Sequence, residues 1–391
     1  MTCANEMPSL TQARIDLSAL AHNCREVRRV TSPAAKIMAV VKADGYGHSA
    51  VQVSRAALAN GADYLAVARI SEAVCLRQAG IEAPMLLFGY AAPEYAAYLA
   101  ANGIRASVDS LETARRLSAA AHQARADLSI HIKFDTGMGR LGLPAGTRPV
   151  SGDLKSEIAG TVQAAVEIMR LPGLTVEGFY THFANADAHD KGHARIQFDY
   201  FLEILEALKR RGIEAPLRHV ANSAAIIEMP ETHLDMVRPG ISLYGLRPSA
   251  EVDLSSIDLR PVMTLTSTVI QVKGVPAGFK ISYGSTYETL APTRIATVAI
   301  GYADGLSRLL SSKGAMLVRG IRAPIVGRVC MDLTMIDVGH VAGVAVGDEV
   351  VVCGRQGENE ISADEIAGLV GTINYEIVCA LKSRVQRNYI G

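Results

Sequence analysis

Ile37-Met38-Ala39-Val40-Val41-Lys42-Ala43-Asp44-Gly45-Tyr46-Gly47-His48 decides the fold. An apolar run of this length reads as a strand buried on both faces, and it stops at a lysine followed by a glycine-bearing turn. Seven further short apolar runs follow, at residues 64–68, 85–88, 104–108, 129–134, 176–182, 217–221 and 235–238. Amphipathic segments separate them. The clearest places Phe198, Phe201, Leu202, Leu205 and Leu208 on one helical face and Glu203, Glu206, Lys209 and Arg210 on the other, with Gly212 ending the run. Eight strand-helix units over roughly 210 residues predict a closed (β/α)8 barrel of the TIM type, with an open doubly wound sheet as the alternative.

After Pro248 the texture changes. Runs at 264–273, 294–300, 315–318, 325–330, 334–338 and 349–353 are β-rich and divided by Gly and Pro, with one helix expected at 363–370. The expected organisation is a barrel over 10–248 and a mostly β domain over 249–391. Residues 10–16 alternate like a strand and could join either. No repeat or low-complexity segment is apparent.

Composition narrows the function classes. The chain has 391 residues, 49% hydrophobic and 20% charged, with 39 basic and 39 acidic side chains and no formal net charge. That length suits two or three domains, and the charge balance offers no patch for nucleic acid or a membrane surface. Residues 84–104 are the most apolar stretch but contain Pro84, Pro93, Glu94 and two glycines, so no membrane span is expected. Residues 1–14 include Glu6 and Pro8 and lack an apolar signal region, so the expected compartment is the cytoplasm. Cys3, Cys24, Cys75, Cys330, Cys353 and Cys379 are far apart and read as free thiols, with Cys330 as a possible reactive one.

Residues 137–142 spell a literal G-x-G-x-x-G, the dinucleotide-binding pattern. Its glycines should open a helix, yet Pro144, Gly146 and Pro149 follow, which argues against a dehydrogenase. P-loop, zincin and α/β-hydrolase signatures are missing. His189 and His193 could share a helix face but have no third ligand, so no metal site is expected.

Lys42 ends the first strand. The C-terminal rim of a barrel is where active sites are built, and desolvation there lowers an amine's pKa from about 10.4 toward a nucleophilic range, making Lys42 a Schiff-base candidate. Other strand ends are also polar: Arg140 follows the fifth, His182 ends the sixth, Asn222 and Ser223 follow the seventh, and Arg238-Pro239-Gly240-Ile241 follows the eighth. Ser223 opens a short helix whose backbone N–H groups suit a phosphate.

Nine ordered motifs then carry a resemblance over nearly the whole chain: V-V-K-A-D-G-Y-G-H, D-T-G-M-G-R-L-G, T-H-F-A, A-N-S, V-R-P-G-I-S-L-Y-G, S-Y-G-S-T-Y, G-Y-A-D-G, V-C-M-D-L and T-I-N-Y-E. The sequence resembles the alanine racemases, fold-type III enzymes dependent on pyridoxal 5'-phosphate. The resemblance implies that Lys42 carries the cofactor. Tyr46, Ser223, Tyr375, Gly240 and Ile241 would hold its phosphate, with Asn222 close by. Arg238 would face the pyridine nitrogen, His182 would pack near the ring, and Arg140 would contact the phenolic oxygen. Arg140, Met331 and Tyr302 would also place the substrate, and Lys133 matches a lysine carbamylated in many members. Asn185 departs from the small residue many relatives carry, which bears on the entrance and substrate range.

Racemisation withdraws the α-proton from one face and returns one to the other. Because an amino acid Cα–H is too weakly acidic for a side-chain base alone, the reaction needs the cofactor as an electron sink. The resemblance assigns the proton of the D-enantiomer to Lys42 and that of the L-enantiomer to Tyr283, whose phenol, with an ordinary pKa of about 10, needs nearby cations to act as a base. A guanidinium opposite the pyridine will not surrender its proton, so the ring nitrogen stays unprotonated and transamination is limited. Serine, lysine and broad-range racemases share the scaffold. A decarboxylase on the same barrel uses a cysteine acid, and a non-catalytic carrier would not need the β domain. The expected assembly is a homodimer with shared active sites, serving either biosynthesis or catabolism of D-alanine.

Overall fold

The computed structural model describes residues 9–145, 154–214 and 216–391. Cys3, Gly146 and Pro149 lie outside the described residues. One compact unit comprises residues 20–45 and 50–260; the other comprises the described part of 1–19 with 46–49 and 261–391.

In the first unit, eight parallel strands follow one another around the sheet: Lys36–Val40, Tyr64–Val67, Met85–Leu87, Ile104–Val108, Leu128–Asp135, Leu174–Tyr180, Leu217–His219 and Met236–Val237. The eighth pairs with the first, Val237 opposite Ile37, so the barrel is nearly closed. Between the seventh and eighth, Asp235 N donates to Arg218 O (3.1 Å) and Arg238 N to Ala221 O (2.9 Å). Tyr64–Val67 and Met85–Leu87 are buried on both faces because the interior and the surrounding helices each take half of their side chains.

Two expectations about helix Gly192–Lys209 need correction. Its inner face is centred on Gln197, Phe201, Ile204 and Leu208, which leaves Leu202 on the outer side and 40% exposed. His189 precedes the helix and shares no face with His193. The 137–142 segment opens no described helix. It is a loop with positive φ at Gly137, Gly139 and Gly142 that returns as Leu143–Pro144 to pair with the end of the fifth barrel strand.

The second unit is mostly β. Its main sheet runs Ile321–Pro324, Ala315–Val318, Glu349–Gln356, Met263–Val275, Gln12–Asp16, Gln386–Ile390. Strand Gln12–Asp16 is central here: Ile15 pairs with Met263 on one side and Tyr389 on the other. Thr293–Val298 and Thr334–Asp337 extend from the far half of Met263–Val275 over a core of Val275, Ile281, Ile295 and Val326.

The strand expected at 325–330 is not formed. Gly327, at φ 73°, turns the chain after the single bridge of Ile325 with Ile336. The neighbouring strand Ile321–Pro324 forms instead, through a two-residue hairpin in which Arg319 and Gly320 both take positive φ. Helix Ala363–Val370 lies where the sequence places it, and a second, Asn374–Cys379, follows.

Candidate active site

Val41 continues the first barrel strand by donating to Ala66 O, and the chain then leaves it at Lys42. Ala43, Asp44, Gly45 and Tyr46 all take φ between 52° and 61°, a single left-handed turn. Such a conformation costs roughly 1–2 kcal/mol for each residue with a Cβ, so its surroundings must impose it. Gly45 N reaches Val41 O (2.9 Å), and Asp44 Oδ1 accepts from Ala50 N (2.9 Å). Glu72 Oε1 accepts from Ala43 N (2.6 Å) while its Oε2 takes Ala68 N and Arg69 N. One carboxylate therefore ties the residue after Lys42 to the end of the next strand.

Arg238 is buried at the end of the eighth strand. It donates to His219 Nδ1 (2.8 Å), His182 Nδ1 (3.2 Å), Thr181 O (2.8 Å) and Val220 O (2.9 Å), and its guanidinium lies 5.5 Å from the centroid of Tyr180. These partners are neutral, so burial pulls the guanidinium down to about 10. His219 stacks on Tyr180 and meets Nδ1 of His131 through its Nε2 (2.9 Å). Gly178 makes room for this pair, because a Cβ there would stand 2.5 Å from His131 Nδ1.

Cations gather around His182. Burial comes first, and then the charges of Arg238, Arg140, Lys133 and Lys42 hold its imidazole well below the ordinary range. Burial, with Arg140 and Arg238 beside it, lowers the Lys133 amine to about 8. Arg140 is carried by a loop organised around Asp135, whose Oδ1 accepts from Gly137, Met138 and Gly139 N (2.8–3.1 Å) and whose Oδ2 accepts from Arg140 N (2.9 Å). Burial raises that carboxyl, but the four backbone donors outweigh it and leave it below its usual value.

At the seventh strand end, the Asn222 side chain caps helix Ser223–Glu228 by accepting from Ala225 N (3.1 Å). The buried Ser223 hydroxyl draws in the neighbouring loop, accepting from Gly240 N (2.9 Å) and Ser242 N (3.3 Å). Ile241 begins the next helical turn, also buried. Lys42, Lys133, Arg140, His182, Asn222, Ser223, Arg238, Gly240 and Ile241 all lie in the barrel unit.

The remaining expected residues lie in the β unit. Tyr46 and Tyr375 face each other with ring centroids 6.1 Å apart. Gly47, at φ 82°, lets the segment close on the second helix, since a Cβ would stand 2.2 Å from Val378 O. Burial first, then Tyr375, push the Tyr46 phenol far above its ordinary value. Tyr283 opens a short turn anchored by Ser282 Oγ donating to Arg328 O (2.6 Å). A Cβ on Gly284 would meet the Arg328 guanidinium carbon at 3.5 Å, so a cation stands beside this turn. Tyr302 N donates to Cys330 O (3.0 Å) and Ala303 N to Met331 O (2.9 Å), which joins the Tyr302 and Met331 loops. Tyr283, Met331 and Tyr302 are 69%, 52% and 40% exposed.

Sequence reading overlooked Glu72, Asp135, His131, His219 and Arg328. Of these, Asp135 carries a readable signal, an Asp directly before a Gly-rich turn.

An eight-stranded parallel barrel with cations at its C-terminal strand ends, joined to a β unit, defines a class of barrel enzymes that work at that rim. Residues 15–248 match the alanine racemase N-terminal domain and residues 262–389 the alanine racemase C-terminal domain, so the chain belongs to the alanine racemase family. It is 51% identical over 381 residues, 96% of each chain, to an alanine racemase of Desulfosudis oleivorans, and 49% identical over 379 residues, 97% of this chain and 98% of the relative, to one of Desulforamulus reducens. Among solved structures it resembles alanine racemase from Clostridium difficile 630, at TM-score 0.90 and 38% identity, covering 98% of this chain and 97% of that one. It also resembles the enzyme from Bartonella henselae with covalently bound pyridoxal phosphate, at TM-score 0.85 and 27% identity, covering 98% of this chain and all of that one. Among the described residues no helix is long and apolar enough to cross a membrane, and no cluster of three or more His, Cys, Asp or Glu could hold a metal.

Proposed function

We propose that the chain interconverts L-alanine and D-alanine with pyridoxal 5'-phosphate held on Lys42. The observation that carries this reading is the gathering of the cations Lys42, Arg140 and Arg238, with the Lys133 amine beside them, around His182 at one end of the barrel. They fit a phosphorylated, anionic group with an aromatic nitrogen. Once bound, that cofactor supplies the electron sink that makes an amino acid α-proton removable.

The chain's own residues supply the rest. Arg238 has only protons to offer, so the atom it faces must accept a hydrogen bond and stays unprotonated. Arg140, positioned by Asp135, would contact the cofactor's phenolic oxygen. Ser223 with Gly240 and Ile241, and Tyr46 with Tyr375, would hold its phosphate, with Asn222 setting the helix start. Lys42 Nζ moves the proton of D-alanine and Tyr283 Oη that of L-alanine. Met331, Tyr302 and Arg140 place the substrate carboxylate. The lowered Lys133 amine is partly neutral near pH 8, the form that adds CO2, which supports its carbamylation.

The exposure of Tyr283, Met331 and Tyr302 supports a homodimer in which the β unit of one subunit completes the barrel site of the other. The described cysteines are all free thiols, in keeping with a reducing cytoplasm.

Borohydride should trap the cofactor on the peptide containing Lys42, and an adduct on Lys133 instead would sink the assignment. In deuterated water, Tyr283→Phe should nearly abolish exchange of the α-proton from L-alanine but retain it from D-alanine. Equal loss with both would refute separate bases. Refolding inactive Lys42→Ala with inactive Tyr283→Phe should restore about a quarter of parental activity if sites are shared across a two-fold axis. Verified mixed dimers without activity would exclude sharing.

A further inference from the structure

We propose that Arg384 is a positioning residue for substrate binding: it clamps the Tyr302 and Met331 loops to each other. The inference rests on the reading of those two residues as carboxylate contacts. Arg384 Nε pairs with Asp304 Oδ1 (2.9 Å) and its Nη2 with Asp332 Oδ1 (2.8 Å). Asp304 in turn accepts from Gly301 N through Oδ2 (2.9 Å), so the loop holding Tyr302 is closed across its base by a carboxylate whose second oxygen reaches Arg384. Asp332 directly follows Met331. One planar guanidinium thereby bridges the two loops, and its two carboxylates are held at fixed positions by separate N–H groups.

The backbone explains why such a clamp matters. Tyr302 N and Ala303 N already bond to the Met331 loop, and Gly301 lies so close to it that a Cβ would stand 2.3 Å from Met331 O. Two loops in direct backbone contact move together or not at all. The buried Asp304 is the fixed end of the bridge and the half-exposed Asp332 the free end. A buried carboxylate without a cation is costly, which ties the fold of the Tyr302 loop to Arg384. Lys382 N donates to Asp304 O (3.1 Å), so the segment bearing Arg384 packs on the same loop.

The clamp is tested with Arg384→Met, Arg384→Lys and Asp332→Asn in the cofactor-loaded enzyme. The readouts are kcat and KM for alanine in both directions and the Kd of propionate, a carboxylate lacking the reactive amine, by calorimetry. Misplacement of a binding group by about 1 Å can cost about 100-fold, and a loosened loop should cost less. Arg384→Met should raise KM and the propionate Kd about tenfold with kcat within about twofold of the parent. Arg384→Lys can keep one ion pair but not both, and should fall between. Asp332→Asn is the sharpest arm. If Asp332 were merely a negative charge near the site, neutralising it would tighten carboxylate binding, whereas loss of the clamp must weaken it. Unchanged KM and Kd in Arg384→Met, or tighter binding in Asp332→Asn, would overturn the proposal even if thermal stability fell. Tyr302→Phe and Met331→Ala separate the two levels. If they raise KM and the Arg384 variants do not, the clamp alone fails; if they leave KM and propionate binding unchanged, the carboxylate reading and the clamp fall together.

Discussion

Arg238 Nη1 stands 2.8 Å from Nδ1 of His219, and because a guanidinium only donates, that contact settles the protonation of two histidines. His219 Nδ1 must accept, so its proton is on Nε2, which donates to His131 Nδ1. His131 then carries its own proton on Nε2, a buried atom without a hydrogen-bond partner among the described residues. Arg238 is thus the head of a one-way column of donors running down the barrel.

That order predicts unequal costs along the column. His219→Leu strands a buried charged donor and should destabilise the fold by about 2–3 kcal/mol. His131→Leu strands only a neutral N–H and should cost about 1–2 kcal/mol. Denaturant midpoints at constant m-value compare them, and equal costs would contradict the assigned direction.

The same histidines set an acid limit. Burial lowers His131 to about 4 and holds His182 and His219 well below their ordinary range, whereas the unfolded chain titrates near 6.5. Between those values the unfolded state binds more protons, so stability is fully present above pH 6.5 and is lost as pH falls toward 4. One group supplies about 1.4 kcal/mol per pH unit, and three should give a steeper slope between pH 6 and 4.5. Chemical denaturation across that range measures it, and a flat profile would show that the rings are not neutral in the fold.

Asp135 should matter more than an ordinary loop carboxylate. Asp135→Ala removes the acceptor of four backbone N–H groups and frees the loop that carries Arg140. We expect kcat/KM to fall about 100-fold, with a stability loss of about 2 kcal/mol. Asp135→Asn keeps one acceptor oxygen and should lie between; steady-state kinetics in both directions provides the check.

Glu72→Ala should act at Lys42 without touching it. With the acceptor for Ala43 N lost, the left-handed turn is less constrained, and the variant should retain cofactor less tightly during dialysis. Cofactor-to-protein ratios after dialysis report this. Parental retention would show that Asp44 and the strand end suffice.

Much of the barrel was legible because its early strands, at 37–40, Tyr64–Val67 and Met85–Leu87, are apolar runs of strand length and several later ones end in a polar rim residue. The β unit was harder to read. Strand Gln386–Ile390 carries Gln386, Arg387 and Asn388 and borrows its order from Gln12–Asp16 at the far end of the chain, a pairing that no local pattern encodes. Residues 325–330 have the composition of a strand, but Gly327 turns them to meet Ile281, whose carbonyl would lie 2.7 Å from a Cβ there. In the site, Lys42, Arg140, His182 and Arg238 showed themselves as polar interruptions at strand ends. His219 and His131 lie within strands, where side-chain alternation says which face they take but not that they meet. Glu72 acts only on backbone N–H groups, and its place in a helical first turn looks like ordinary capping.

Gln12–Asp16 leaves the ribosome early, yet Ile15 pairs with Met263 and Tyr389. At about 5–20 residues per second, Met263 emerges on the order of 10–50 s after Ile15, and Tyr389 later still. Throughout that wait the barrel can form on the growing chain while its leader strand dangles as a bare β edge, the form of polypeptide that recruits foreign strands. Nascent chains stalled before Met263 should therefore depend on chaperone cover at Gln12–Asp16, and that dependence should fall once Met263–Val275 has emerged to pair with it.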